Sequence, residues 1–367
     1  CNEGNTIQIS NIYNGKLNGN NHTIRNIFLE NAFLFRNFQG TLENLYIENF
    51  QKTNTTWIES GLIAELRNAD IDNVHINNTK IKYSERLSAI EIGVFARTVT
   101  ASRIKNSSCR NIEIISNNTK ILNYIDIGGF ICNMSQSSIE NSYVDHFTIK
   151  MGNTPDSRIG GLVSKEDGNS TIINCYATNG SISAKSKNVG GLVGYIGNGS
   201  RISNSYSYVD LSSSDDFIGG IVGNSVNGIQ NDITNNLSVG NIYTSSISEN
   251  MSRIVGNSQD VKNNYAFQLQ KINGYITDEK LGANLITYDD MLNEKTYTNI
   301  IALGDYYDYS KVTSGILPKL YNTNGKDLLP NQTDAKLEIK TNLTIDEITT
   351  EKSESDSINV VAVINNP

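Results

Sequence analysis

Long hydrophobic runs are absent from this 367-residue sequence. No stretch of about 18 apolar residues is available to cross a membrane, and no charged and then apolar start marks a signal peptide. Clusters of lysine and arginine are also absent, and the formal net charge is −8. Such a charge repels phosphate backbones, so we expect no nucleic-acid partner and no membrane span.

Cysteine and histidine are scarce, which argues against a metal site. The cysteines are Cys1, Cys109, Cys132 and Cys175. They lack C-x-x-C spacing, so we expect buried free thiols and neither a zinc site nor a disulfide framework. The histidines are His22, His75 and His146. None begins an H-E-x-x-H motif, so we expect surface or turn positions for them and no cofactor in this chain.

Cys1 could be the lipidated first residue of a bacterial lipoprotein. Such proteins usually continue with a flexible polar tether. Here "TIQISNIYNGKLNG", from Thr6 to Gly19, is typical of strand and turn. We therefore expect no lipid on Cys1.

Glycine is abundant, and much of it recurs in one motif, "VGGLVG" at Val189 and six related loops. The residue after the second glycine defines a column spaced by 29 to 35 residues: Leu62, Phe95, Phe130, Leu162, Leu192, Ile221 and Ile254. A phosphate-binding loop would occur once and would be followed by a lysine and a helix. A recurring period of this length indicates a solenoid instead.

A second column consists of an aliphatic residue, one further residue and an asparagine. It begins with "IRN" at Asn26 and "LEN" at Asn44 and then follows each glycine loop. We expect an asparagine ladder along the stack, made of Asn73, Asn106, Asn141, Asn174, Asn204, Asn235 and Asn263. The expected core columns are Leu62, Phe95, Phe130, Leu162, Leu192 and Ile221, with Ile104, Ile139, Ile172 and Ile202. In six copies an aromatic follows the asparagine by two residues: Phe28, Tyr46, Tyr143, Tyr176, Tyr206 and Tyr265.

Strands explain this repeat better than helices do. Paired glycines inside a helix cost about 1 kcal/mol each relative to alanine, and the repeats are rich in Ile, Val, Ser, Asn and Tyr. The sequence predicts an all-β fold, a right-handed parallel β-helix over residues 1–265. Its glycines would allow positive φ or close backbone approach at a bend.

The columns stop after residue 265, and we expect a small C-terminal cap of the solenoid over residues 266–330. Thr287 and Asp290 form a variant capping box for a helix over about 288–296. The "GILPKL" stretch with Tyr306, Tyr307 and Tyr309 could bind a ligand, but packing across the last open coil is the simpler explanation. Residues 331–367 are acidic and rich in Ser and Thr, so we expect a linker or the start of a following domain.

Several segments resemble a known family. "VGGLVG" followed by "ISNSY" is similar to the GLUG repeat. The segments "YNGKLNGNNHTIRNIFL", "FLFRNFQGTLENLYIENF", "GLIAELRNADIDNVHI", "NNYAFQ" and "YDYSKVTSGILPKLYNTNGKDLLPNQ" resemble the N-terminal region of Gram-positive immunoglobulin A-specific zinc metalloendopeptidases. The resemblance covers roughly residues 11 to 330.

In that family, catalysis depends on an H-E-x-x-H helix and a distant glutamate, downstream of the repeats. This chain has neither. The resemblance therefore implies a non-catalytic β-helix of a secreted or cell-wall-attached bacterial metalloprotease, with zinc bound elsewhere in the parent enzyme. The β-helix would act as a spacer or would position a host glycoprotein such as immunoglobulin A, and no residue here is assigned to substrate binding.

Two other functions stay open. A stand-alone surface adhesin that binds host glycoprotein or carbohydrate would carry the same repeats. A carbohydrate-active β-helix enzyme would need clustered carboxylates in a groove. Asp215 and Asp216 are the best acidic pair for that role, although solvated charges on a loop explain them more simply. We expect a monomer in either case.

Overall fold

Short parallel strands, stacked in register, build most of the molecule in the computed structural model. The predicted all-β class and the parallel β-solenoid are confirmed, with 62% of residues in strands and 5% in helices. The structure describes residues 9–365 except 31–32, 55–57, 84–88, 117–123, 154–155, 186, 215–216, 227–230, 245–249, 258–260, 262, 280, 326, 338–343 and 353–357.

A complete coil contributes strands to four faces. The first face contains Ile58–Ser60, Ala89–Gly93, Tyr124–Gly128, Asp156–Gly160, Asn188–Gly190, Phe217–Gly219 and Met251–Ser252. The second contains Ala96–Thr100, Ile131–Ser135, Val163–Glu166, Val193–Ile196 and Val222–Ser225. The third contains Arg103–Lys105, Ser138–Glu140, Thr171–Ile173, Arg201–Ser203 and Asp232–Thr234.

The fourth face carries longer strands. They are Ser108–Ile115, Tyr143–Asn153, Tyr176–Lys185, Tyr206–Ser213, Leu237–Ser238, Ile242–Thr244, Tyr265–Phe267, Lys271–Ile272 and Asn284–Ile286. In the first coils, single long strands run through the second, third and fourth faces: Ile9–Glu30, Phe35–Asn54 and Ile63–Tyr83. Tyr275–Ile276 pairs antiparallel with Lys271–Ile272.

The predicted core columns lie inside the stack, and all ten of their side chains are fully buried. The isoleucines of the third face stand opposite one another in successive coils, for example Ile139 against Ile104 and Ile172. In the column beside the glycines, the Leu162 amide donates to the Leu192 carbonyl at 2.9 Å, and the Leu192 amide donates to the Ile221 carbonyl at 3.0 Å. Aliphatic side chains and backbone hydrogen bonds therefore join the same coils.

The glycine pairs lie where the first face turns into the second, and close packing explains them. A Cβ on Gly190 would overlap the Val193 carbonyl oxygen and would lie 2.6 Å from the Gly223 amide nitrogen. Gly190 has no positive φ, so its role is to let neighbouring backbones approach. The sequence left positive φ open as an alternative for these glycines, and for Gly190 the structure rules it out.

Positive φ is instead supplied by asparagines at the corners of the coil. Asn169, Asn174 and Asn179 have φ values of 50°, 52° and 50°. The coils on either side repeat this five-residue spacing. Left-handed residues at corner 1, before the third face, are Asn68, Ala101, Gln136, Asn169 and Gly199. At corner 2, before the fourth face, they are Asn21, Asn44, Asn73, Asn106, Asn141, Asn174, Asn204, Asn235 and Asn263. At corner 3, within the fourth face, they are Asn26, Asn49, Asn78, Asn111, His146 and Asn179.

Two sequence alignments were wrong in the first coil. Asn26 belongs to corner 3, because its side chain accepts a hydrogen bond from Asn49 at 2.9 Å, whereas Asn44 is at corner 2. Phe28 therefore does not join the aromatic column. It stands opposite Gln51 and is exposed.

The segment after residue 265 differs from the predicted cap. Parallel pairing continues to Asn284–Ile286, one coil further than predicted. A helix follows at Tyr288–Met291, where Thr287 accepts from the Asp290 amide and so caps the helix as predicted. The predicted helix over 288–296 is shorter, and a π-helix follows at Thr296–Ile300.

The remaining elements lie beside the coils. Tyr307–Asp308 pairs antiparallel with Lys319–Leu320, and a 3-10 helix spans Val312–Ser314. The compact unit ends at Ala335, and not at the predicted boundary of 330. A second unit begins at Lys336 and contains one antiparallel hairpin, Thr344–Lys352 with Ile358–Asn365.

The glycine turns yield a stability prediction. We expect Gly190→Ala to destabilise the fold by about 1–3 kcal/mol, because the new Cβ overlaps backbone that cannot move without shifting two coils. Gly15→Ala is the matched control, since the nearest atoms to its Cβ lie 3.9 Å away. Thermal unfolding measures both. Equal midpoints for Gly190→Ala and the wild type would contradict the close-approach explanation.

Candidate functional site

Three tyrosines stack on the fourth face in consecutive coils. Tyr143 pairs in register with Tyr176, and Tyr176 with Tyr206. Their ring centroids are 5.0 Å and 4.9 Å apart. We call these three side chains the tyrosine ladder. All are buried, although they lie on the outside of the coil stack, so another part of the chain must cover them.

The cover is residues 306–335, which we call the lateral strap. The Tyr307 hydroxyl donates to the Asn204 carbonyl at 2.8 Å, and its ring centroid lies 5.9 Å from that of Tyr206. Farther along, the Thr323 amide donates to the Asn106 side chain at 2.8 Å. The strap therefore crosses four successive coils, from Asn204 back to Asn106. The sequence placed Tyr306, Tyr307 and Tyr309 over the last open coil, and the structure corrects this to the flank of the middle coils.

Each of the two Leu-Pro pairs of the strap brings a proline carbonyl onto the tyrosine ladder. The Tyr206 hydroxyl donates to the Pro318 carbonyl, and the Tyr143 hydroxyl donates to the Pro330 carbonyl. Tyr176, between them, donates to the Gln332 side chain at 2.8 Å. Buried hydroxyls need partners. The "LPKL" and "LLPNQ" segments thus supply an acceptor for each tyrosine of the ladder.

Gln332 also holds the strap together. Its amide group donates to the carbonyls of Leu320 at 2.8 Å and Leu329 at 3.0 Å, and its oxygen accepts from the Leu320 amide at 2.6 Å. The Gln332 side chain therefore links the strap segments around Leu320 and Leu329 to each other and to Tyr176. The strap is a folded element and not a passive linker.

A buried carboxylate, Asp145, holds the C-terminal end of the strap at Thr333. Thr333 donates to it at 2.7 Å and Asn179 at 2.8 Å. Burial alone would raise the pKa of Asp145. The hydrogen bonds from Thr333 and Asn179, together with the charges of His146 and Arg110, hold that pKa below its usual value. The remaining groups within 3.3 Å of its oxygens are Thr178, His146 and Arg110.

The asparagines predicted as a ladder all lie at corner 2, and direct side-chain bonds join only some of them. Asn174 donates to Asn141 at 3.0 Å, and Asn235 approaches Asn204 at 3.5 Å. Asn73 donates to Asn44 at 2.9 Å. Two members donate their side-chain amides to the strap. Asn106 contacts Thr323, and Asn141 donates to the Tyr321 carbonyl at 3.2 Å. At Asn263, the backbone carbonyl accepts from the Asn235 amide.

The predicted positions of the cysteines are confirmed where the structure describes them, whereas one of the three histidines lies elsewhere than predicted. Cys109, Cys132 and Cys175 are buried free thiols, as predicted. His22 and His146 are exposed. His75 is buried between Ser108 and Asn73, at 2.8 Å from each, and burial lowers its pKa to about 3. The expected surface or turn position was wrong for His75, which takes the place that tyrosine holds in the ladder and stacks on Tyr46.

Where the first and second faces meet, charged residues form a column that sequence spacing did not indicate. Arg97 contacts Glu91 at 3.2 Å and Glu65 at 3.4 Å. Glu91 stands beside Asp126 in the next coil, and Arg158 contacts Asp126 at 3.3 Å. Burial raises the pKa of Asp126 to about 6, although Arg158 opposes the rise. Because these carboxylates are ion-paired and Asp126 is buried, the column joins coils and presents no open acid–base pair. Asp215 and Asp216 lie outside the described residues.

Glu166 is a second ionisable group inside the stack. It stands between Met134 and Ile196 in the adjacent coils and is buried. Burial raises its pKa to about 7, and the hydroxyls of Ser200 and Ser170 offset only part of that rise. A carboxyl in an apolar column is most stable in its neutral form.

Within the described part of the chain, no group of three or more His, Cys, Asp or Glu side chains is placed to hold a metal ion. None of the described helices has the length and apolar character that a membrane crossing requires.

Sequence reasoning missed the strap and corner 3. The signal for corner 3 is present, because asparagine or histidine follows each corner 2 asparagine by five residues from Asn44 to Asn174. No periodic signal marks the strap, which does not repeat. Its two Leu-Pro pairs could not be matched to tyrosines about 110 to 190 residues earlier without the fold.

Comparisons with known proteins give a local motif match and several likenesses to solved structures. The GLUG motif matches residues 186–210, which include the turn at Gly190 and the corner at Asn204. No curated protein matches the sequence. A structure named IgA1 protease is 17% identical over 72% of this chain and 20% of that chain, with a TM-score of 0.42. The chain thus spans about a fifth of the length of that protein.

The second structure comes from a Bacteroides ovatus protein that is provisionally assigned as an immunoglobulin A1 protease. It is 16% identical over 84% of this chain and 87% of that chain, with a TM-score of 0.42.

The hydrogen bonds from the tyrosine ladder predict that loss of a tyrosine hydroxyl loosens the strap. We expect Tyr206→Phe to cost about 1–3 kcal/mol and to accelerate hydrogen exchange around residues 317–321, because the buried Pro318 carbonyl loses its donor. Tyr195→Phe, on the second face, is the matched control and should leave exchange in the strap unchanged. Exchange in the strap that is identical in Tyr206→Phe and the wild type would show that this hydrogen bond does not hold it.

The burial of Glu166 predicts that the stability of the folded protein depends on pH. Its folded pKa of about 7 lies above the reference value of 4.5. Below pH 4.5 the carboxyl is neutral in both the folded and the unfolded protein, so its burial has no ionisation cost. As the pH rises from 4.5 through 7, the carboxyl ionises more readily in the unfolded protein, and the free energy of unfolding falls. Relative to the wild type, Glu166→Gln should become more stable by up to about 3 kcal/mol across this window. Thermal unfolding from pH 4 to 8 measures the difference, and Asp232→Asn is the exposed-carboxylate control. A difference that stays constant with pH would contradict the assignment.

Proposed function

We propose that this chain is a non-catalytic β-helix domain of a secreted or cell-surface bacterial metalloprotease, in which it acts as a spacer or positions a host glycoprotein such as immunoglobulin A. The observation that carries the proposal is the continuous, strapped stack of coils. From Asn44 to Asn263 the corner advances by seven coils, about 34 Å at about 4.8 Å per coil. A rod of that length can separate or align larger partners.

The site chemistry supports a structural or binding role. The buried carboxylates Asp145 and Asp126 are hydrogen-bonded or ion-paired to residues of neighbouring coils or the strap. The tyrosine ladder is covered by the chain's own strap. General acid–base catalysis needs a group that a substrate can reach. The GLUG match at residues 186–210 fits the same role.

The sequence of the complete gene product tests the parentage. An H-E-x-x-H motif downstream of residue 367 supports the protease assignment. A complete product without such a motif would favour the stand-alone adhesin.

A kinetic comparison tests the role of the domain. Given that parentage, we expect the parent protease without this β-helix to cleave whole immunoglobulin A with a kcat/KM at least tenfold lower, through a higher KM, while it cleaves a short hinge peptide normally. Equal losses on both substrates would contradict positioning. The 367-residue chain alone should cleave neither substrate, and chelator-sensitive cleavage by it would overturn the proposal.

A further inference from the structure

The chain does not leave the β-solenoid at its last coil. The column that contains Tyr206 continues through three more coils to the strand Asn284–Ile286. From that strand the chain runs back along the flank of the stack, where Gly304 lies beside Asn204. It has then returned by three coils, about 14 Å at about 4.8 Å per coil.

The strap folds back on itself before the chain continues. Its outbound arm, residues 306–323, runs along the middle coils. Its return arm, residues 328–335, is joined to the outbound arm where the Leu317 amide donates to the Ala335 carbonyl at 2.9 Å. The first compact unit ends at Ala335. Residues after 335 are therefore connected to the solenoid through the return arm and not through the last coil.

Buried side chains of the solenoid hold the return arm at three points. These anchors are the Tyr143 hydroxyl on the Pro330 carbonyl, the Tyr176 hydroxyl on the Gln332 side chain at 2.8 Å, and the Asp145 carboxylate on the Thr333 hydroxyl at 2.7 Å. Beside Ala335, the Asp334 carboxylate contacts Lys319 of the outbound arm at 2.6 Å. A pull on residue 336 is thus shared by both arms of the strap.

We infer that the strap is a mechanical latch, which transfers tension from the segment after residue 335 to the middle coils and keeps it off the last three coils. The end of a solenoid is weak under tension, because an end coil has a neighbour on one side only and its hydrogen bonds separate one after another. With the strap in place, the load meets the three buried anchors before it reaches the strand Asn284–Ile286.

The path of the strap favours a latch over a simple end cap. A cap needs only to cover the last coil, whereas the strap reaches back to Asn106. Its anchors are buried, so water does not replace them while the return arm stays packed. This inference concerns the path of tension through the chain and does not depend on the proposed protease role.

Single-molecule pulling tests the inference by loading the same folded chain after the strap or before it. One attachment point is Asp70→Cys on the third face. The second is either Lys336→Cys, after the strap, or Asp289→Cys, between the last coil and the strap. All three positions are exposed. Cys1→Ser is included in both chains, and the remaining three cysteines are buried free thiols.

The force of the first rupture is the result that decides. At the same loading rate, we expect the first rupture through residue 336 to need at least about twofold more force than the first rupture through residue 289. After the strap is released, the last coils should open in the same event, because they resist less. Equal forces at the two positions, or a lower force through residue 336, would overturn the inference.

A variant of one anchor locates the resistance. Thr333→Val removes the donor to Asp145, and we expect it to lower the rupture force through residue 336 by about a third while the force through residue 289 stays the same. Tyr195→Phe, on the second face, is the control and should change neither force. An equal reduction at both positions, or no reduction at residue 336, contradicts the latch. If Thr333→Val does not fold, the comparison of the two attachment points with an unaltered strap still decides.

Discussion

The stack depends on backbone that turns its corners in the left-handed region. That region costs most residues roughly 1–2 kcal/mol, and asparagine tolerates it better than residues other than glycine do. Corners 1, 2 and 3 follow one another at intervals of five residues, as in Asn169, Asn174 and Asn179. Fixed corners keep the strands between them in register from coil to coil. The aliphatic columns, the tyrosine ladder and the charged column all rely on that register.

The same corners explain how the chain fastens its strap. At Asn106 and Asn141, the side-chain amides bond to the strap instead of to the next asparagine. The ladder hydroxyls then reach proline carbonyls of the strap. Four coils are thereby joined along their side as well as through their stacking. Since each coil of a solenoid is otherwise supported only by its neighbours, a lateral element of this kind makes the middle of the rod more cooperative.

Sequence periodicity predicted the parallel solenoid, because each coil must place the same residue types at the same positions. It could not predict features that occur once. The position of Tyr307 against Tyr206 depends on the path of a non-repeating segment. The pairing of Arg158 with Asp126 depends on which residues of adjacent coils face the same side. Asn26 was misaligned because two corners five residues apart both favour asparagine, and the local pattern does not distinguish them.

The most direct test of the left-handed corner compares two substitutions at Asn235, where φ is 57° and the side-chain contact to Asn204 is long, at 3.5 Å. If the corner requires the backbone conformation, Asn235→Gly will be more stable than Asn235→Ala by about 1 kcal/mol in chemical unfolding. Equal losses for the two variants, or a more stable alanine variant, would show that the side chain and not the backbone conformation is what the corner requires.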